Sequence, residues 1–179
     1  MAIYNKYYAE ENYFGKSYPE LVSYINEFGR ECKILDLGCG QGRDVLSFGR
    51  LGFEVKGLDI SDVGINQLND VAKAEGLNVI GVVEDYKFVD YINQYDIVLM
   101  NSMFHFYKND IVEETQSIEL IMNKMKIGSS MILIVQENKD RVNHLRKILG
   151  VSNFQIQHEE SFIYQEFNST FYMISVKKI

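Results

Sequence analysis

The sequence predicts an α/β protein in which a mostly parallel sheet of seven strands carries helices on both faces, and three observations support it. Ile34-Leu35-Asp36-Leu37 is a short apolar run suited to a strand buried on two faces, and it feeds the turn Gly38-Cys39-Gly40-Gln41-Gly42. Further along, short apolar runs alternate with amphipathic segments, the order expected of strands joined by helical crossovers. Near the end, residues 154–164 and 170–177, separated by polar Gln165 to Ser169, read as a hairpin. Together these describe a Rossmann-like sheet.

The elements follow in order. Pro19 suits the first position of a helix, with Leu21, Val22, Ile25 and Phe28 on one face before Gly29 closes it. After the first strand and glycine turn, a helix from about Arg43 to Leu51 turns Val45, Phe48 and Gly49 inward. Phe53 to Asp59 is the second strand. Ser61 to Glu75 is a helix with Ile65, Leu68 and Ala72 inside and Gly76 at its end, and Leu77 to Val83 is the third strand. Tyr95 to Met100 is the most apolar strand. Ile111, Thr115, Ile118, Met122 and Met125 then define the inner face of a helix whose Glu113, Glu114, Gln116 and Glu119 point outward. Its methionines read as core filling. Met131 to Val135 is a fifth buried strand, and Asn138 to Gly150 a helix with Val142, Leu145 and Ile148 inside.

Length and composition bound the class. A chain of 179 residues, 46% hydrophobic, fits one globular domain. Residues 1–30 read as an aromatic arm and helix belonging to the same domain as residues 31–179. Eighteen Lys and Arg against 25 Asp and Glu leave a net charge of −7, with no basic run able to track a phosphate backbone, so nucleic acid is not the expected partner. The two cysteines show no paired metal spacing, so no metal is expected and a reducing, cytoplasmic setting is. Cys39, inside the glycine turn, reads as a small packing residue. No stretch has the roughly 18 apolar residues of a membrane span.

The glycine turn carries the chemistry. It leaves no Cβ where a cofactor would approach, and the following helix directs its N-terminal amides there. A dinucleotide fingerprint would need a third glycine at position 43, which is Arg43. The pattern is instead D-x-G-x-G-x-G, with Asp36 two residues before Gly38, where a carboxylate suits an α-ammonium and repels a pyrophosphate. This segment resembles motif I of the class I S-adenosylmethionine-dependent methyltransferases. With Tyr13-Phe14-Gly15 and residues 55–61, it is similar to small-molecule enzymes of the tellurite-resistance and thiopurine type. The resemblance implies that Asp36, Gly38, Gly40 and Gly42 hold the methionine end of S-adenosylmethionine, and that the closing hairpin makes the last strand antiparallel.

Asp59 ends the second strand 23 residues after Asp36, close to the ~20-residue offset at which an acid meets ribose hydroxyls. A plainer role is to start the next helix, for which Ser61 is the better N-cap. Ile60 beside it offers an apolar face to adenine. The resemblance assigns Asp85 to the adenine amino group and Tyr86 to the ring, against a simple helix cap. In the arm, Tyr4, Tyr7, Tyr8, Tyr13, Phe14 and Tyr18 either cover the sulfonium through cation-π contact or fasten the terminus to the core. The resemblance reaches Tyr13 and Phe14, which are assigned to the cofactor.

The loop from Asn101 to Tyr107 follows the fourth strand, where ligands of open α/β sheets lie. Asn101 is assigned to the cofactor side. Methyltransferases acting on adenine or glutamine nitrogen resemble one another in an Asn/Asp-Pro-Pro-aromatic tetrad here, whereas this chain has Asn101 and Phe104 without either proline. His105 is the candidate general base, with a packed structural role as the alternative. His144 is expected on a solvated helix face. The reaction implied is direct displacement at the sulfonium methyl by a small-molecule acceptor, producing S-adenosylhomocysteine, in a monomer or homodimer. Two alternatives are a noncatalytic S-adenosylmethionine-binding partner subunit and a nucleotide-binding dehydrogenase.

Overall fold

The computed structural model describes residues 7–10 and 13–179. Tyr4, one of the arm tyrosines, lies outside them. The helices are α1 (Pro19–Ile25), α2 (Arg43–Arg50), α3 (Asp62–Glu75), α4 (Ile111–Lys124) and α5 (Lys139–Leu149). The strands are β1 (Lys33–Leu37), β2 (Glu54–Asp59), β3 (Val79–Val83), β4 (Ile97–Asn101), β5 (Ser130–Gln136), β6 (Phe154–Tyr164) and β7 (Ser169–Lys178). They form a seven-stranded sheet in the order β3-β2-β1-β4-β5-β7-β6. By its contacts the chain divides into two compact units, one running to Val89 and one from Asp90.

In the first unit β1, β2 and β3 are parallel, pairing Asp36 with Gly57 and Gly57 with Gly81. The two glycines of that row let α2 and α3 come close. A Cβ on Gly57 would stand 2.7 Å from the Cys39 Sγ and 2.8 Å from Val45, and one on Gly81 would stand 2.3 Å from Leu68. Phe48, Phe53, Leu58 and Leu68 are fully buried around it, each contributing about 1.5–3 kcal/mol of apolar burial. α1 ends at Ile25, a turn short of the expected Gly29, with Phe28 half-buried and edge-on to Tyr24 at 5.4 Å. Between β3 and β4 there are only two 3-10 turns, Tyr86–Phe88 and Ile92–Gln94.

In the second unit β4 and β5 are parallel, whereas β7 runs antiparallel to both β5 and β6. The antiparallel strand implied by the family resemblance is therefore β7. β5 is buried from Ser130 to Val135, as its unbroken apolar run requires. Asn138 caps α5, its side-chain oxygen accepting from the Asp140 amide at 2.9 Å, and Val142, Leu145 and Ile148 are buried below. Lys178 near the end of β7 donates to the carbonyls of Met122, Asn123 and Met125 at 2.8, 3.2 and 2.8 Å. These are the carbonyls that the end of α4 leaves without helical partners.

Two side chains differ from expectation. Glu114 does not point outward with Glu113 and Glu119; it is half-buried and bonds to the loop before its own helix. His144 is half-buried rather than on a solvated face, with Nε2 2.8 Å from the Thr115 hydroxyl and its ring edge-on to Phe106 at 5.2 Å. Helical periodicity reports a residue's face but not a neighbour that arrives from another segment.

Candidate functional site

The first unit builds its candidate site around the turn after β1. The Gly38 and Cys39 amides both donate to the Leu58 carbonyl, at 2.8 and 2.9 Å, tying the turn to β2. Gly40 and Gly42 have φ of +55° and +80°, which side chains seldom adopt, and neither has room for one. A Cβ on Gly42 would stand 2.1 Å from Leu68 Cδ1, and one on Gly40 2.6 Å from the Tyr8 hydroxyl.

Asp59 joins the turn to the next helix. One carboxylate oxygen accepts the Gly40 amide at 2.9 Å and the other the Ser61 amide at 2.8 Å. Ser61 in turn caps α3, accepting from the Gly64 amide at 3.1 Å. Asp59 and the Ser61 cap thus coexist, and each Asp59 oxygen retains accepting capacity for a further donor. The carboxylate is a fixed acceptor before any ligand arrives.

Asp36 contrasts with it. The residue is 3% exposed, and among the described residues nothing donates a hydrogen bond to its carboxylate. Burial pushes its pKa well above the ordinary carboxylate range; Asp44 and Asp59 push the same way, and only Arg43 opposes. A desolvated carboxylate in that state is stabilised by a cation brought to it. Cys39 shares this environment, and burial, followed by Asp36 and Asp59, pushes its thiol up. It stays protonated and packs.

Arg43, which the fingerprint comparison used only as a missing glycine, has a structural task. Burial would lower its pKa, but the ion pair with Asp44, Nη2 to Oδ2 at 3.0 Å, outweighs that and keeps it charged. Its guanidinium lies over the Tyr18 ring at 4.6 Å and donates to the Phe14 carbonyl at 3.3 Å. Gln41 donates to the Glu10 carbonyl and to Gln67 Oε1, both at 2.8 Å, and accepts the Tyr13 amide at 3.1 Å. Gln67 donates to the Tyr8 carbonyl at 2.9 Å. The arm is therefore latched to the glycine turn. Tyr13 and Phe14 pack edge-on at 5.0 Å and remain 39% and 37% exposed. Tyr8 is one of the arm rings offered for fastening the terminus, whereas the spacing pointed to none of Gln41, Arg43 and Gln67 as latch residues. The available signal was the run of long polar side chains, Gln41 and Arg43, in a turn that otherwise selects small ones.

The remaining candidates in this unit are more open. Ile60 is 55% exposed beyond the end of β2. Asp85 is half-buried and caps the 3-10 turn after β3, accepting from the Lys87 amide at 3.0 Å, and Tyr86 beside it is half-buried.

In the second unit Asn101 closes β4, half-buried, its Oδ1 accepting from the Ser102 hydroxyl at 3.0 Å. Ser102 and Phe106 have φ of +57° and +51°, each costing about 1–2 kcal/mol without compensation. Compensation at Phe106 comes from Glu114, whose two oxygens accept the His105 amide at 3.0 Å and the Phe106 amide at 2.5 Å. The exchange is mutual, since the Tyr107 carbonyl accepts the Asp110 and Ile111 amides that open α4, both at 2.9 Å. Side chains then alternate. Phe104 is buried and Phe106 meets His144, whereas the His105 ring stacks on the exposed ring of Tyr107 at 5.5 Å. Burial, then Lys147, holds His144 below the ordinary imidazole value, so it is a neutral ring beside Thr115.

Solved structures share this fold. Magnesium protoporphyrin IX methyltransferase (ChlM) of Synechocystis PCC 6803, with bound SAM, aligns at TM-score 0.74 and 19% identity, covering 89% of this chain and 77% of that one. The [4+2]-cyclase SpnF aligns at TM-score 0.72 and 16% identity over 89% and 80% of the two chains, so the fold does not by itself dictate the reaction. The architecture is that of the class I S-adenosylmethionine-dependent methyltransferases.

Sequence narrows this further. The family model described as "Tellurite resistance protein TehB" matches residues 2–172, and the chain belongs to that family. A relative from Haemophilus influenzae (strain 10810), named "Probable S-adenosyl-L-methionine-dependent methyltransferase TehB", is 27% identical over 141 residues, 76% of this chain and 49% of its own length. This chain thus spans about half the length of the curated relatives it matches. The crystal structure of TehB from Haemophilus influenzae aligns at TM-score 0.70 and 21% identity, covering 94% of this chain and 67% of that one. The superfamily resemblance and its tellurite-resistance branch are both met.

Proposed function

We propose that this chain transfers the methyl group of S-adenosylmethionine, by direct displacement, to a small acceptor. The observation that supports the reading most is Asp36: a buried carboxylate, at the opening of a glycine turn, that receives no hydrogen bond among the described residues. The α-ammonium of the donor supplies the missing cation. Backbone exposed by Gly38, Gly40 and Gly42 accommodates the methionine chain, Asp59 accepts from the ribose hydroxyls, and Ile60, Asp85 and Tyr86 line the adenine. Tyr13 and Phe14 cover the donor, and Asn101 belongs to the cofactor side of the loop after β4.

The donor sulfonium is already activated, so the protein's work is positioning and water exclusion. His105 takes the acceptor's proton where one must leave, and an acceptor that arrives as an oxyanion or thiolate requires no base. The family description and the named relatives support a metalloid oxyanion such as tellurite as the first acceptor to try. Calorimetric titration with S-adenosylmethionine, S-adenosylhomocysteine and NAD tests the donor site. Binding of both adenosyl ligands with NAD silent is expected, and the reverse would replace this reading with a nucleotide-binding one. Release of S-adenosylhomocysteine in the presence of tellurite then tests the acceptor class.

A further inference from the structure

We propose that Glu114 is a positioning residue for the acceptor-side loop: by accepting the consecutive amides of His105 and Phe106 it fixes which rings of residues 104–107 face outward. The inference rests on the functional reading above, in which this loop serves the acceptor.

Three observations carry it. The carboxylate engages both amides at once, 3.0 Å to His105 and 2.5 Å to Phe106, and so selects one orientation of the peptide between them. Phe106 is held at φ +51°, a conformation an aromatic residue leaves when nothing compensates it. The ring order that results is specific: Phe106 turns to His144, which bonds to Thr115 on α4, and His105 stacks on Tyr107 at the exposed side. Flipping the 105–106 peptide turns the Phe106 N–H away from Glu114 and leaves the bond from the preceding peptide, His105 N–H, as the remaining tie to that carboxylate. Glu114 is well placed electrostatically, because a carboxylate in the first turn of α4 lies in the favourable field of that helix's N-terminus.

The test uses the full chain with Glu114→Gln and Glu114→Ala. Glutamine keeps the shape but offers one acceptor oxygen, and turns its own N–H toward the second amide. Backbone amide exchange is read at His105 and Phe106, alongside S-adenosylmethionine affinity and S-adenosylhomocysteine release with tellurite as acceptor. Both variants should exchange those two amides at least about tenfold faster, with protection in α4 and β5 retained. Donor affinity should stay within about twofold, while turnover at saturating donor falls about tenfold or more. Unchanged exchange at 105 and 106 overturns the proposal, as does faster exchange with undiminished turnover. If the parent protein binds the donor and turns over no tellurite, the acceptor class proposed above fails, and the exchange measurement alone decides the role of Glu114.

Discussion

The turn after β1 and the loop after β4 are both strand-to-helix connections in which a carboxylate accepts a loop amide, Asp59 from Gly40 and Glu114 from Phe106, but they reach their positive φ angles by different means. The first owes its shape to the backbone: Gly40 and Gly42 take positive φ, and the amides of Gly38 and Cys39 are tied to the Leu58 carbonyl. The second has no glycine between Asn101 and Asp110. It forces Ser102 and Phe106 into positive φ, and a carboxylate from the following helix holds Phe106 there. A connection shaped by backbone tolerates changes in side chains around it; one shaped by a distant carboxylate can be re-aimed by a single substitution.

The sharpest way to break the first connection is to give it a side chain. Gly42→Ala combines a positive φ with a Cβ 2.1 Å from buried Leu68. It should cost about 2–4 kcal/mol, read as a lower urea midpoint. An unshifted midpoint would mean that the turn relaxes at no cost. Next in size, Asp59→Ala removes the acceptor of the Gly40 and Ser61 amides while the ties of Gly38 and Cys39 to the Leu58 carbonyl remain. Donor affinity should fall by on the order of 1–3 kcal/mol in calorimetry, and unchanged affinity in a folded variant removes Asp59 from the donor site.

A smaller effect separates Asp36 from Asp59 by pH. The folded-state pKa of Asp36 is raised, so the stability this group contributes is present below its ordinary value of 3.8 and lost as pH rises through the raised one. A cationic ligand reverses the preference and draws the group into its ionised form. Donor affinity should therefore weaken as pH falls from neutrality toward the carboxylate range, by at most about tenfold per pH unit for one proton. Binding should release protons, making the apparent enthalpy depend on the buffer's ionisation enthalpy. Asp36→Asn should abolish that dependence, and a buffer-independent enthalpy in the parent protein at mildly acid pH would count against the linkage. The smallest change is Gln67→Ala. Losing its bonds to Gln41 and the Tyr8 carbonyl should cost about 0.5–1.5 kcal/mol, detected as faster proteolysis within residues 7–18 at unaltered global stability.

The same contrast explains what was legible in the sequence. β1, its glycine turn, the Asp59 offset and the closing hairpin are local patterns, and all were readable as elements. Boundaries moved by a residue or two, as when β3 begins at Val79 and not Leu77, because frayed strand ends carry no side-chain signal. Glu114 and His144 were misplaced for a different reason. Their partners, the amides of 105–106 and the Thr115 hydroxyl, arrive from another segment or another helix, and the periodicity of α4 and α5 is the same whether or not those partners come. Arg43 was legible only as an absence of glycine, since its partners in the arm follow no repeating offset.

Lys178 carries a consequence of its own. Its ammonium closes the end of α4 from the final strand, more than 50 residues further along the chain. The last turn of the helix is thereby tied to the strand. A chain emerging during synthesis completes α4 long before the lysine that finishes it, so this helix should stay frayed at its C-terminal turn until β7 docks. Such a late, non-local closure is the kind of step that slows folding, and charge-removing acetylation of that one lysine would leave the turn open.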